Sequence, residues 1–243
     1  MKKAIGYVYV IAAAVCWGFL GLFNRVLTAA GVSLLNMMPL RFGGTAILFT
    51  VFCMMFKQQV FHIKLRHLPI FLGSGLISML LVLCGCALVS GIVGSDVGIS
   101  LEGLLMGLAS ELCYGGYTIF THYGMRYCDS FTMAYWTFLI AGIASLFLAD
   151  GPALLSALAE PRTGLAALGL MVMGTALPFT LYTKGLETVE SGKAAIIANI
   201  EPVMSAVIGV TVFQETLGLW TLVGIVLVLS GVVVLACEKE PDK

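Results

Sequence analysis

KAAIIANIEPVMSAVIGVTVFQETLGLWTLVGIVLVLSGVVVL, Lys193 to Leu235, holds two apolar runs joined by a turn at Gln214, Glu215 and Thr216. Each run is near the roughly 20 residues that cross a bilayer as helix, so the stretch reads as a membrane hairpin. Inside the first run Glu201 is followed by Pro202. A charge at that depth costs about 2.5 to 3.5 kcal/mol on insertion scales. Pro202 also leaves the carbonyl of Ala198 without its usual amide donor. Both residues need a partner or a cavity.

The rest of the chain has the same character. Of 243 residues, 60% are hydrophobic and 11% charged, and the mean hydropathy is +1.03. That composition is an integral membrane protein's. Thirteen Lys and Arg balance thirteen Asp and Glu, which argues against a nucleic-acid partner and leaves only charge placement informative. Five of the seven cysteines (Cys16, Cys53, Cys84, Cys86 and Cys113) lie inside apolar runs and no CxxC pair exists, so they read as small core residues. His62, His67 and His122 are scattered without metal-ligand spacing. No cofactor is implied, and no nucleophile stands with a base to suggest an enzyme. Met1-Lys2-Lys3 before an apolar run has the look of a signal peptide, but Val15 before Cys16 makes a poor lipoprotein cleavage site. The run is expected to remain as a first helix.

Eight apolar spans follow at about 4–23, 33–56, 69–93, 101–122, 131–149, 163–183, 193–213 and 217–237. With the N-terminus inside, the inner segments hold Lys2, Lys3, Lys57, Lys64, Arg66, Arg126, Lys184, Lys193, Lys239 and Lys243. The outer ones hold Arg25 and Arg162, and Arg41 is left in the membrane. Ten against two places both termini in the cytoplasm, with Lys184 and Lys193 as topology anchors.

Parts of the chain repeat. Cys16-Trp17-Gly18 corresponds to Cys113-Tyr114-Gly115 at an offset of 97, Met38 to Met133 at 95, and Gly75 to Gly174 at 99. The offset then jumps: Leu81 to Val89, LVLCGCALV, matches Leu227 to Leu235, LVLSGVVVL, at 146. The simplest account is a first repeat shorter by 47 to 49 residues, the difference between 146 and offsets of 99 and 97. Losing two crossings keeps an odd number in the half, so the second repeat stays inverted relative to the first. Paired inverted repeats are a common transporter construction.

These residues resemble the EamA family of the drug/metabolite transporter superfamily, ten-helix permeases of two inverted five-helix repeats. The similarity is strongest over Leu101 to Leu235, through Gly192-Lys193-Ala194-Ala195, Glu201-Pro202, Phe213-Gln214-Glu215 and the Gly224 to Val232 stretch. It also covers Ala14 to Gly18 and Pro39-Leu40-Arg41-Phe42. The expected fold is therefore an all-α integral membrane protein of eight helices, with an incomplete first repeat at 4–93 and a full second repeat at 101–237. Two departures stand out. One fused span, Leu68 to Ile92, replaces the family's third to fifth helices, and Glu111 stands where the family commonly has a small apolar residue.

The resemblance implies export of small amphipathic solutes such as amino acids or amines from the inner membrane by alternating access, with lipid around the chain. The rival is a non-transporting relative, or a subunit completed by further copies or by a partner. Arg41 is either a cavity cation or a residue that pairs structurally or snorkels outward. Glu201 either binds a solute ammonium and couples transport to protons, or is a neutral hydrogen-bonded carboxyl. It is also the candidate acceptor for Arg41. Pro202 reads as a kink that opens carbonyls to the cavity, or as helix packing. Trp17, Tyr114 and Tyr182, with Thr175 and Asn199, form either a polar-aromatic lining or interhelical contacts. Glu111 shares a four-residue ladder with Gly103, Gly107 and Gly115, which favours a packing face.

Overall fold

The computed structural model describes residues 2–61, 67–89, 101–147 and 149–237. His62, Lys64, Arg66, Lys239 and Lys243, and the last residues of the expected first repeat, 90–93, lie outside them. So do the side chains of Glu111, Cys84 and Cys86. The chain runs α1 (Lys2–Gly18), α2 (Leu20–Ala29), α3 (Leu34–Met38), a wide π-helical turn (Pro39–Gly44), α4 (Thr45–Phe56) and a 3-10 turn (Gln58–Phe61). It continues as α5 (Leu68–Val89), α6 (Leu101–Gly124), α7 (Ser130–Leu146), α8 (Gly151–Leu158) and α9 (Pro161–Met171). A second π-helical turn (Val172–Ala176) leads to α10 (Leu177–Leu186), α11 (Ser191–Ala198), α12 (Ile200–Phe213) and α13 (Leu219–Cys237). Among the described residues there is no strand.

Ala4–Ala29, Leu35–Phe56, Pro161–Leu186 and Ser191–Phe213 are long and apolar enough to cross a bilayer. Ser130–Leu146 with Gly151–Leu158, bent by 113°, is a fifth candidate. The other expected spans fall on helices α5, α6 and α13, of 22, 24 and 19 residues. Span one is longer than the sequence suggests, because Arg25 does not stop the helix. Its guanidinium pairs with Glu215 and stands 4.4 Å from the Phe213 ring centre. The helix stops at Gly31, whose φ of +82° suits glycine, and Val32 N–H donates to the Leu27 carbonyl at 3.0 Å.

The burial pattern is that of a chain solvated by hydrocarbon. Ile47, Leu112, Ile119, Leu165 and Val226 point outward, Leu112 with 77% of its surface exposed. Thr45, Ser74, Thr137, Thr175 and Thr183 are buried. Helix contact inside relies on small residues. A Cβ on Gly142 of α7 would come within 3.0 Å of the Gly43 Cα in the first π turn, so two backbones touch there.

Connections assigned to one side by the charge asymmetry meet one another. Lys57 pairs with Asp129 at 3.1 Å, the His67 and Tyr127 rings lie 4.4 Å apart, and Gly6 abuts Thr188. The first two pairs lie in connections given the inner assignment, and Gly6 is at the same end of the first span. Arg25 with Glu215 joins connections given the outer assignment, and the Asn36 side-chain oxygen, at the start of the second span, accepts from the Asp150 N–H at 2.8 Å.

Candidate functional site

Two one-residue irregularities in otherwise continuous spans converge on one place. In span one the irregularity is at Phe19, between α1 and α2, and in the seventh expected span at Asn199, between α11 and α12. Pro202 cannot donate to the Ala198 carbonyl, and the Asn199 N–H turns back to the Ile196 carbonyl at 3.2 Å, closing one tight turn there. The two spans cross where a Cβ on Gly18 would lie 2.4 Å from the Met204 Cβ. Ser205 Oγ donates to the Gly18 carbonyl at 3.2 Å, so a backbone acceptor at the first irregularity is served by the second helix. Trp17 and Glu201 are therefore adjacent to this crossing, each within one turn of it.

Around Trp17 stand the aromatics of α6 and α10. Ring centres lie 5.0 Å away for Phe179, 5.3 Å for Tyr182 and 6.3 Å for Tyr114. Tyr117 closes the group, 5.4 Å from Phe179. Trp17 is 3% exposed and Tyr182 fully buried. The α6 and α10 helices present the same face to each other: Tyr114, Tyr117 and Thr118 on one, Phe179, Tyr182 and Thr183 on the other, in i, i+3, i+4 order. Their hydroxyls bond crosswise. Thr118 uses its proton on the Tyr114 carbonyl at 3.0 Å, so at 3.2 Å the Tyr182 hydroxyl is the donor to Thr118. Thr183 likewise donates to the Phe179 carbonyl at 2.8 Å, leaving Tyr117 to donate to Thr183 at 3.5 Å, the limit of a hydrogen bond.

One polar group in this wall is not used by it. The Trp17 indole N–H is buried with no hydrogen-bond partner among the described residues, whereas the Tyr114 hydroxyl faces that of Tyr182. Buried donors are rarely left so, and this one is available to an acceptor placed between the helices. Glu201, half-buried, is close enough to Tyr114 to act electrostatically on its hydroxyl.

The remaining expected residues are placed differently. The Arg41 guanidinium carbon lies 5.9 Å from the Phe42 ring centre and 6.0 Å from that of Phe179, so it reaches the aromatic group through Phe179. Arg41 sits in the first π turn and Thr175 in the second. Thr175 is buried and donates to the Leu170 carbonyl at 2.9 Å, bridging its own widened turn instead of lining the group. Asn199 is exposed and its amide donates to the Ala195 carbonyl at 3.3 Å. Pro202 is exposed too.

Sequence reasoning did not identify the π turns or Phe179, Tyr117, Thr118 and Thr183. Their signals are present: Pro39 and Pro178 each remove a helix N–H, and π turns gather at functional places. Thr45 Oγ1 donates at 3.1 Å to the Met171 carbonyl, tying one widened turn to the other.

A polytopic all-helical protein with an apolar exterior and a polar-aromatic centre is a multi-pass membrane protein. The profile of the EamA-like transporter family matches residues 101–237, more than half of the chain, and the chain belongs to that family. It is 41% identical over 68 residues to an uncharacterized transporter of Archaeoglobus fulgidus, covering 28% of this chain and 25% of that protein. It is 26% identical over 174 residues to the uncharacterized transporter YwfM of Bacillus subtilis, covering 70% of this chain and 57% of that one. With the uncharacterized inner membrane transporter YicL of Salmonella typhimurium it shares 26% identity over 154 residues, 60% of this chain and 48% of the other. The chain thus spans a quarter to about half of the length of these relatives.

Proposed function

We propose that this chain is an inner-membrane transporter that exports small amphipathic solutes, amino acids or amines, by alternating access. The observation that carries the reading is the meeting of Trp17, Tyr114, Tyr182 and Glu201 where two spans, each with a one-residue irregularity, cross. A solute ammonium would face the Glu201 carboxylate and the aromatic walls, which attract cations. Its acceptor groups would take the Trp17 N–H, the donor the wall leaves over. Proton uptake at Glu201 would release the cation and couple export to the proton gradient. The irregularities at Phe19 and Asn199 would let the inner and outer halves of their spans tilt separately.

The proposal includes eight crossings, with both termini cytoplasmic and the inverted repeats at 4–93 and 101–237. The contacts between connections of like assignment support this sidedness. A second reading is favoured by the share of the relatives' length that the chain spans. In it the chain is completed by a partner or a second copy, or does not transport.

Metabolites accumulated outside cells with and without the protein identify the solute, and proteoliposomes then measure its proton-coupled flux. Glu201→Gln is expected to lose the coupled flux and Glu201→Asp to keep part of it. Full flux in Glu201→Gln would overturn the role of the carboxylate. Flux only when the missing 47 to 49 residues are restored would favour the second reading.

A further inference from the structure

Away from the aromatic group, the α4–α5 and α6–α7 connections flank an open cavity of about 680 Å³. Lys57 at the end of α4, Val60 in the 3-10 turn, His67 and Phe71 at the start of α5, and Arg126 and Asp129 between α6 and α7 line it. The floor is apolar: Val60 and Phe71 are each 2% exposed. The walls are pinned, since Trp136 Nε1 donates to the Val60 carbonyl at 2.9 Å and the His67 ring lies on Tyr127 at 4.4 Å.

Among the described residues, the charges lining this cavity do not cancel. Partial burial alone would raise the Asp129 carboxyl, but hydrogen bonds from Thr132 and Lys57 outweigh it and hold the group below its ordinary value. Asp129 is therefore ionised at neutral pH, and Lys57 is committed to it at 3.1 Å. Arg126 is left over. Its guanidinium stands 5.1 Å from the Tyr123 ring centre and has no carboxylate partner among the described residues. The cavity thus offers a guanidinium and an imidazole above an apolar floor, on connections that the charge asymmetry assigns to the cytoplasmic face. An anion with an apolar portion fits that arrangement, and a guanidinium matches phosphate oxygens in pairs.

We propose that this cavity binds a phosphate-bearing amphipathic anion, its phosphate on Arg126 and His67 and its apolar part against Val60 and Phe71. An anionic phospholipid headgroup and a soluble phosphate ester share that chemistry. The cytoplasmic leaflet supplies the first.

Native mass spectrometry of the full chain in detergent would compare retention of dioleoylphosphatidylglycerol with that of dioleoylphosphatidylcholine. A titration with glycerol 3-phosphate in lipid-free micelles forms the second arm. Retention of the anionic lipid alone identifies a headgroup, saturable binding of the ester identifies a soluble ligand, and both outcomes support the site. Arg126→Gln should weaken whichever binds by at least about fivefold, the contribution of one basic group near an anionic surface. His67→Gln tests the same wall without touching Arg126, and Lys193→Gln, outside the cavity on the same face, should leave binding unchanged. Circular dichroism and monodispersity confirm that each variant folds. Equal retention of both lipids with no saturable ester binding overturns the proposal. So does a loss in folded Lys193→Gln as large as in Arg126→Gln.

Discussion

Gly18→Ala asks whether the crossing of these two spans, α1–α2 and α11–α12, tolerates any side chain. The added Cβ would lie 2.4 Å from the Met204 Cβ and 3.2 to 3.3 Å from the Met204 carbonyl carbon and Cα. No rotamer of Met204 moves those atoms. Carbon atoms rest at about 3.5 to 4.0 Å, so α1 and α12 must part by about 1 Å or more. The Ser205 Oγ to Gly18 carbonyl bond, 3.2 Å long, does not survive that separation. Overpacking costs about 1 to 3 kcal/mol, and an interhelical hydrogen bond in a membrane about 0.6 more. At about 2 to 4 °C per kcal/mol for a chain this size, the melting temperature in detergent should fall by about 3 to 14 degrees. Gly21→Ala is the control, because a Cβ there meets nothing within 4 Å. A thermal scan of both variants, read by loss of monodisperse protein, decides the matter. Equal melting of the two would refute the close crossing, and with it the placement of Trp17 beside Glu201.

Trp136→Phe removes the N–H that holds the Val60 carbonyl at 2.9 Å, and should cost about 1 kcal/mol in the same scan while raising protease cleavage near the 3-10 turn. Arg25→Gln should change stability by less than about 1 kcal/mol, since both partners in the Arg25–Glu215 pair are about half exposed. For Asp129 the sign follows from a folded pKa held below the ordinary 3.8. Its contribution is present above that value and lost as pH falls through the lower folded one. The melting difference between the native chain and Asp129→Asn should therefore stay level from pH 7 to about 5 and shrink in stronger acid. A difference that grows toward acid would contradict the Lys57–Asp129–Thr132 cluster.

Much of the helical layout was legible because hydrocarbon selects for one quantity, apolar length. The turn expected at Gln214 to Thr216 falls where α12 ends at Phe213 and Gln214 takes a left-handed φ of 56°. The outer end of span one was less legible. Arg25 looks like a helix stop when read alone, yet a cation can remain on a helix when Phe213 and Glu215, the latter 190 residues away, come to it. The widened turns were hidden for a related reason. Pro39 and Pro178 say that a backbone donor is missing, but whether a helix kinks, breaks or bulges depends on what then reaches the freed backbone. At the second widened turn the hydroxyls of Thr45 and Thr175 serve the carbonyls of Met171 and Leu170, which lie a turn or more before Pro178 and are not those its missing N–H frees.

The candidate site divides along the same line. Glu201 stands out in any reading, since an acid in an apolar run has few neutral explanations. The aromatics are weaker signals: Trp17, Tyr114 and Tyr182 read equally as lining or as interhelical contacts, and Tyr117 and Phe179 are ordinary until their neighbours are counted. Tyr114, Tyr117 and Thr118 repeat the order of Phe179, Tyr182 and Thr183, and that order lets each helix bond its tyrosine to the other's threonine. Those threonines also bond their own backbones, which fixes the direction of every proton in the exchange. The exchange satisfies two phenols and leaves the Trp17 indole outside it. Phe179 then has two duties, as a wall against Trp17 at 5.0 Å and as a surface for Arg41 at 6.0 Å. A change at Phe179 should consequently disturb Trp17 and Arg41 together, whereas changes at Thr175 or Asn199, which bond only their own helices, should disturb neither.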